Sequence, residues 1–212
     1  HTQTQVVQLA ENYAWGFVYC NYKGDYLKLA VGTNNSHVMD STQGYQQAVT
    51  VDDFKSWANT YAPRVSVWAA NDIESWGNNN GPGPVYNWYS GYHPATSISY
   101  VDFGSLDGCP PYSGNPPYCS GGWQQGDYYN LSWLEPEAWP VPEIYVYGQA
   151  TEWYQMSQYG SGVGGPVAPW GPLDTYGTCS CGYTAPQAWV QLNQYFTVEM
   201  TYSFEMHNTG HH

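Results

Sequence analysis

The sequence predicts an α/β protein wound as a reduced or distorted (β/α) barrel, with an open doubly wound sheet as the alternative. Three observations predict it. Segments of helical and of strand-like periodicity take turns along the chain, the pattern of successive βα units. About six such units can be traced, fewer than the eight of a complete TIM-like barrel. The 212 residues also fall short of the roughly 250 that a complete barrel takes, and suffice for one domain with its own core.

Taken in order, Gln5–Trp15 sets Val6, Leu9, Ala10 and Tyr13 on one stripe and reads as an amphipathic helix. Gly16–Tyr22 and Leu27–Gly32 read as strands. Val51–Tyr61 is a helix with Thr50 as N-cap and Asp52 and Asp53 in its first turn, where the helix dipole favours them; Pro63 stops it. Val65–Ile73 is a strand, Val85–Tyr92 a short helix and Ile98–Phe103 another strand. Gln124–Leu134 reads as helical, Glu143–Tyr147 as a strand after Pro140 and Pro142, and Ala150–Gln158 as a helix. Val167–Trp170 gives a short strand and Pro186–Tyr195 a helix with its proline in the first turn. Phe196–His207 alternates and reads as a closing strand.

Composition excludes several functions. Four basic residues face 17 acidic ones, for a net charge of −13. No basic patch for phosphates can be built from Lys23, Lys28, Lys55 and Arg64, so nucleic acid is not a partner. The same sign argument rules out an anionic membrane surface, and no apolar run is long enough to insert into a bilayer. Charged residues are only 10% and aromatics 18%, with 22 Tyr and 11 Trp, a balance suited to neutral polyhydroxyl ligands and to life outside the cell. Cys109 and Cys119 bracket the loop CPPYSGNPPYC, and a disulfide closing it is expected; Cys20, Cys179 and Cys181 are left with open pairing. The chain begins at His1 without Met or signal peptide and reads as a processed chain; residues 209–212 read as a tag remnant, leaving one domain over 1–208.

In parallel α/β folds ligands bind at the C-terminal ends of strands, and polar residues collect there. Asn34 and Asn35 follow LKLAVGT; Asn71, Asp72 and Glu74 follow VSVWAA, with Trp76 beyond; Asp102 ends ISYVDF, with Asp107 after it; Asp174 and Tyr176 follow PVAPW. Glu143 opens its predicted strand and is expected at the opposite end. Asp72-Ile73-Glu74 is the sharpest element. Residues two apart on a strand share a face, and two crowded carboxylates in apolar surroundings separate into an acid and a base, as glycosidic cleavage requires. A D-x-E triplet also arises by chance, as a loop cap and a solvated side chain.

Trp15, Trp57, Trp153 and Trp189 are expected in the core, while Trp76, Trp123, Trp133, Trp139 and Trp170 lie in Gly/Pro/Glu-rich loops and suit either ligand contacts or a flat Tyr-rich protein interface; Trp68 and Trp88 are further stacking candidates. No cofactor or metal is called for. One alternative uses His1, whose amino group and imidazole chelate copper in lytic polysaccharide monooxygenases, with His37, His93 or His207 as second ligand; His37 and Asp40 also form a candidate ligand pair. No HExxH, GxSxG, P-loop or GxGxxG motif is present.

The ordered segments LKLAVGTNNS, VSVWAANDIE, YVDFGSLDGCPP, GGWQQGDYYNLSW, LEPEAWPVPEIY and WYQMSQYG resemble secreted bacterial glycoside-hydrolase-like (β/α)-barrel proteins across residues 5–207. The resemblance implies a barrel-like domain, export and a carbohydrate or cell-wall setting. The DIE triplet is similar to the D-x-E at a strand end of lysozyme-type glycoside-hydrolase barrels. The aromatic loops and the shortage of strands depart from that class. The expected function is therefore cleavage of a neutral polysaccharide or cell-wall glycan. Glu74 would be general acid, Asp72 nucleophile or stabiliser, and Asp102 and Asp174 supporting carboxylates. Asn34, Asn35, Asn71, Trp76, Trp170 and Tyr176 would bind substrate. The alternative is a non-catalytic carbohydrate- or surface-binding module on the same scaffold.

Overall fold

A computed structural model describes residues 2–21, 23–33, 39–74, 81–106, 108–109, 118–166, 168–172 and 182–198. The chain is α/β, with one four-stranded parallel sheet among the described residues: β1 (Leu27–Thr33), β2 (Val65–Asn71), β3 (Tyr100–Asp102) and β4 (Ala138–Pro140), side by side in chain order. Leu27 pairs with Val65, Ala69 with Tyr100, and Tyr100 with Ala138. The sheet does not close on itself among the described residues.

The first helix, α1 (Gln3–Cys20), runs through the segment expected to be a strand at Gly16–Tyr22. A capping box between Thr2 and Gln5 starts it. Ala10, Ala14, Phe17 and Val18 then meet the core at helical spacing, and that packing overrides the strand preference of Phe-Val-Tyr. Trp15, expected in the core, is turned outward and 53% exposed.

Helix α2 (Ser41–Tyr61) begins ten residues before the predicted helix, because Asp40 caps it: Oδ1 accepts from Gln43 N at 2.8 Å. Asp40 is thus a helix cap, and no metal is needed to explain it. Ala48, Val51, Phe54 and Ala58 form its buried stripe, and Gln47 Nε2 reaches Val31 O of β1 at 2.6 Å. Helix α3 (Pro82–Tyr92) crosses α2 so closely that a Cβ on Gly44 would overlap Trp88 O and one on Gly91 would overlap Ser41 O. Backbone cannot yield as a flexible side chain does. Gly91→Ala is therefore expected to destabilise the fold by about 1–3 kcal/mol, as overpacking does, measurable as a lower urea midpoint at unchanged m-value. Trp88, a stacking candidate, is core: it is 1% exposed and lies on Tyr92 and Tyr100.

Beyond β3 the chain passes Cys109 and Cys119, which form the expected disulfide. Cys20 is free and exposed; Cys179 and Cys181 lie outside the described residues. Removing the bridge by a double Cys→Ala change is expected to cost about 2–3 kcal/mol through the entropy of the opened loop, read as a fall in Tm. The predicted helix at Gln124–Leu134 is two pieces, α4 (Gln125–Tyr129) and a π-helical turn (Asn130–Leu134). Trp123 and Trp133, expected to be free for ligand, are buried at 0% and 7% exposure. Helices α5 (Gln149–Gly162) and α6 (Ala185–Leu192) complete the described fold.

Two further predicted strands differ over the described residues, Val167 lying outside them. Glu143–Tyr147 is not a strand; β4 lies earlier, at Ala138–Pro140, and Pro140 and Pro142 mark its end, since proline cannot donate to a ladder. No strand is assigned in 168–170, although Trp170 N donates to Pro140 O at 3.0 Å. The tail beyond Val198 lies outside the described residues.

The two faces of the sheet differ. Val65, Val67 and Ala69 of β2 are buried, and α2 packs on that strand. At alternate positions Ser66 is exposed and Trp68 half-buried; Trp68 meets Trp170 at 4.3 Å and Trp139 of β4 at 6.3 Å between ring centroids. Lys28 Nζ of β1 sits 4.0 Å over the Trp170 ring, a cation–π contact.

Candidate functional site

Asp72 and Glu74 lie just past the C-terminal end of β2, off the strand, so strand alternation does not bring them together. What does is a knot of main chain at the exits of β2, β3 and β4. Glu143, expected at the opposite end of the sheet, follows the end of β4 and belongs to the same cluster. Asp72, Glu74 and Glu143 each present a carboxylate oxygen within 4.8 Å of the other two. Glu74 and Glu143 are 4% and 7% exposed and Asp72 is half-buried.

Residues leaving β3 hold this arrangement. Ser105 Oγ donates to Glu74 Oε1 at 2.9 Å, and Glu143 N donates to Gly104 O at 3.3 Å. Gly104 is required, because a Cβ there would overlap Ile73 O and drive the two strand exits apart. The Tyr128 hydroxyl, from α4, lies 3.3 Å from Ile73 O and 3.4 Å from Ser105 O.

Asp102 sits beneath the cluster at the end of β3, with no exposed surface. Oδ1 accepts from Ile73 N at 3.4 Å and Gly104 N at 3.1 Å, while Oδ2 accepts from Ser132 Oγ in the π-helical turn. Burial pushes its carboxyl up to about 7 from 3.8. The hydrogen bonds from Ser132, Gly104 and Ile73 oppose that rise, and the charge of Glu74 adds to it. Tyr100, two residues earlier on β3, donates its hydroxyl to Leu131 O of the same π-helical turn.

Three carboxylates this close repel one another, and a shared proton or a cation relieves the strain. An all-oxygen donor set suits a hard cation such as Mg²⁺ or Ca²⁺ better than copper or zinc. Among the described residues no His or Cys joins the cluster. His93 is occupied elsewhere, with Nδ1 2.9 Å from Glu137 Oε2; His1, His37 and His207 lie outside the described residues.

Asn71, a predicted ligand contact, is fully buried at the end of β2; Nδ2 lies 3.6 Å from Met39 Sδ, and Oδ1 has no partner among the described residues. Trp170 is half-buried in the Trp68–Trp139 group with Lys28 over its ring. Asn34, Asn35, Trp76, Asp107, Asp174 and Tyr176 lie outside the described residues. The structure thus brings Asp72, Glu74 and Asp102 together and adds Glu143, Ser105 and Ser132. The PVP run signals Glu143, once its prolines are read as ending a strand; nothing in the sequence marks the two serines.

Comparison with protein-family models, with curated proteins and with solved structures found no match. No described helix is long and apolar enough to cross a membrane.

Proposed function

We propose that this protein hydrolyses glycosidic bonds in a neutral polysaccharide or cell-wall glycan outside the cell. One observation carries the reading: Asp72, Glu74 and Glu143 converge within 4.8 Å where the parallel strands end, the ligand-binding edge of α/β sheets. Glu74 acts as general acid on the leaving oxygen, and Asp72, the most accessible of the three, as nucleophile. Glu143 sets the charge between them. The oxygen separation is nearer the about 5–5.5 Å between carboxyl groups of retaining glycosidases than the about 6.5–9.5 Å of inverting ones. Retention of anomeric configuration follows from that choice.

A barrel-like winding fits the same reading. Strand order follows chain order without reversal. Trp170, whose segment hydrogen-bonds to β4, lies under Lys28 of β1, so the chain beyond the last described strand approaches the first across the face that carries Trp68. A disulfide and few charges accord with an oxidising, extracellular setting. The half-exposed Trp139, 41% exposed beside Trp68 and Trp170, favours the second reading, a module that binds glycan without cleaving it.

The deciding experiment incubates the protein with soluble and insoluble polysaccharides and bacterial cell walls. It measures new reducing ends and the anomer first released, by NMR. Release with retained configuration is expected. Pull-down by a polymer without any release would replace hydrolysis by the binding reading, and inverted product would overturn the nucleophile assignment.

A further inference from the structure

We infer that Asp102, clamped by Ser132 of the π-helical turn, is the positioning residue that sets the geometry of the Asp72–Glu74–Glu143 cluster. Its catalytic purpose rests on the glycan-cleaving reading above; the positioning itself does not.

Asp72 and Glu74 flank in the chain a residue that Asp102 holds, and Glu143 is hydrogen-bonded through its main chain to another. Ile73, whose N–H Asp102 accepts, is the residue between Asp72 and Glu74. Gly104, whose N–H it also accepts, receives Glu143 N on its carbonyl and is followed by Ser105, the donor to Glu74. One buried carboxylate thereby joins the exits of β2, β3 and β4. Its other oxygen is taken by Ser132, in a π-helical segment of five residues, a rare conformation that recurs at functional sites.

A buried carboxylate is expensive, and an apolar residue of similar volume at the end of β3 packs there without a desolvation penalty. What an apolar residue cannot do is accept two main-chain N–H groups from two different strand exits. Displacements of about 1 Å in reacting groups cost on the order of 100-fold in rate, so a clamp at this point acts on turnover before it acts on binding.

The test compares Asp102→Ala with Asp102→Asn, whose amide oxygen still accepts from Ile73 and Gly104 and whose NH₂ meets Ser132 Oγ. Amide exchange by NMR is read at Ile73, Gly104 and Glu143, with kcat and KM on a cleaved glycan. Protection at all three amides is expected in the wild type and in Asp102→Asn, and its loss in Asp102→Ala. For Asp102→Ala, kcat should fall on the order of 100-fold with KM within about threefold, and Asp102→Asn should recover at least about tenfold of that loss. Unchanged exchange in Asp102→Ala overturns the proposal. So does an Asn variant as slow as Ala with its amides still protected, because the charge and not the position would then matter. If Asp102→Ala fails to fold, Ser132→Ala decides: faster exchange at Ile73 and Gly104 supports the clamp, and wild-type exchange refutes it. If no glycan is cleaved by the wild type, the hydrolase reading fails while the exchange data still decide the positioning.

Discussion

Glu74→Gln is expected to lower the rate of glycan cleavage by about 10²–10⁴-fold, the range a positioned general acid contributes. Gln keeps the shape and still accepts the Ser105 hydroxyl that holds Glu74 Oε1, so the loss reports the missing proton and not a collapsed site. Substrates with leaving groups that need no protonation should recover much of the first step, whereas Asp72→Asn should stay slow on every substrate because the covalent intermediate no longer forms. Glu143→Gln should fall between wild type and these two, about 10–100-fold, since it removes a neighbouring charge and not a reacting atom. Initial rates on one polysaccharide and one activated aryl glycoside separate the three. A Glu74→Gln enzyme within threefold of wild type on the polysaccharide would remove Glu74 as the acid.

The second large effect is on stability, and its sign is opposite to the usual carboxylate. Asp102 ionises near 3.8 when exposed and at about 7 when folded. Below pH 4 it is protonated in both states and contributes no pH dependence. Between pH 4 and 7 the unfolded chain has released a proton that the folded chain still holds, so stability declines as pH rises through that window and levels off above it. The difference between the two values corresponds to on the order of 4 kcal/mol at 25 °C. Asp102→Asn, which resembles the protonated acid, should remove this slope. The variant's stability relative to wild type should rise by on the order of 4 kcal/mol from pH 4 to pH 8 in urea titrations. A relative stability that stays flat across that range would mean that Asp102 ionises as an exposed carboxyl does. The same substitution is thus expected to stabilise at alkaline pH while losing at most about tenfold in turnover, because it keeps the acceptor for Ile73 and Gly104.

Much of this was legible in the residues. The parallel α/β character followed from alternating periodicities, and β1, β2 and α3 stand close to where the pattern put them. Asp72, Glu74 and Asp102 stand at the strand ends where the sequence places them. What escaped notice has physical causes. Gly16–Tyr22 has the composition of a strand but continues a helix, because Phe17 and Val18 extend the stripe begun by Ala10 and Ala14. The start of α2 hid behind Thr-Gln-Gly-Tyr-Gln-Gln, a polar stretch held helical by its Asp40 cap and by glycine-permitted contact with α3. Glu143 lies at the end of the sheet opposite to the one its sequence suggests, because a short run, Ala-Trp-Pro, is the true strand and EIYVY only looks like one. Ser132 had no local signal at all; its role exists only because a π-helical turn carries it to Asp102.

The bridge between Cys109 and Cys119 has a consequence for how such a chain diversifies. It fastens together the two ends of the loop that separates the β3 exit from α4, with nine residues between the cysteines. Lengthening an already shut loop adds little entropic penalty, because closure depends only weakly on its size. Changes in the length of this loop are therefore expected to alter stability little. Length can thus vary between the two cysteines while the bridge keeps the loop's ends together.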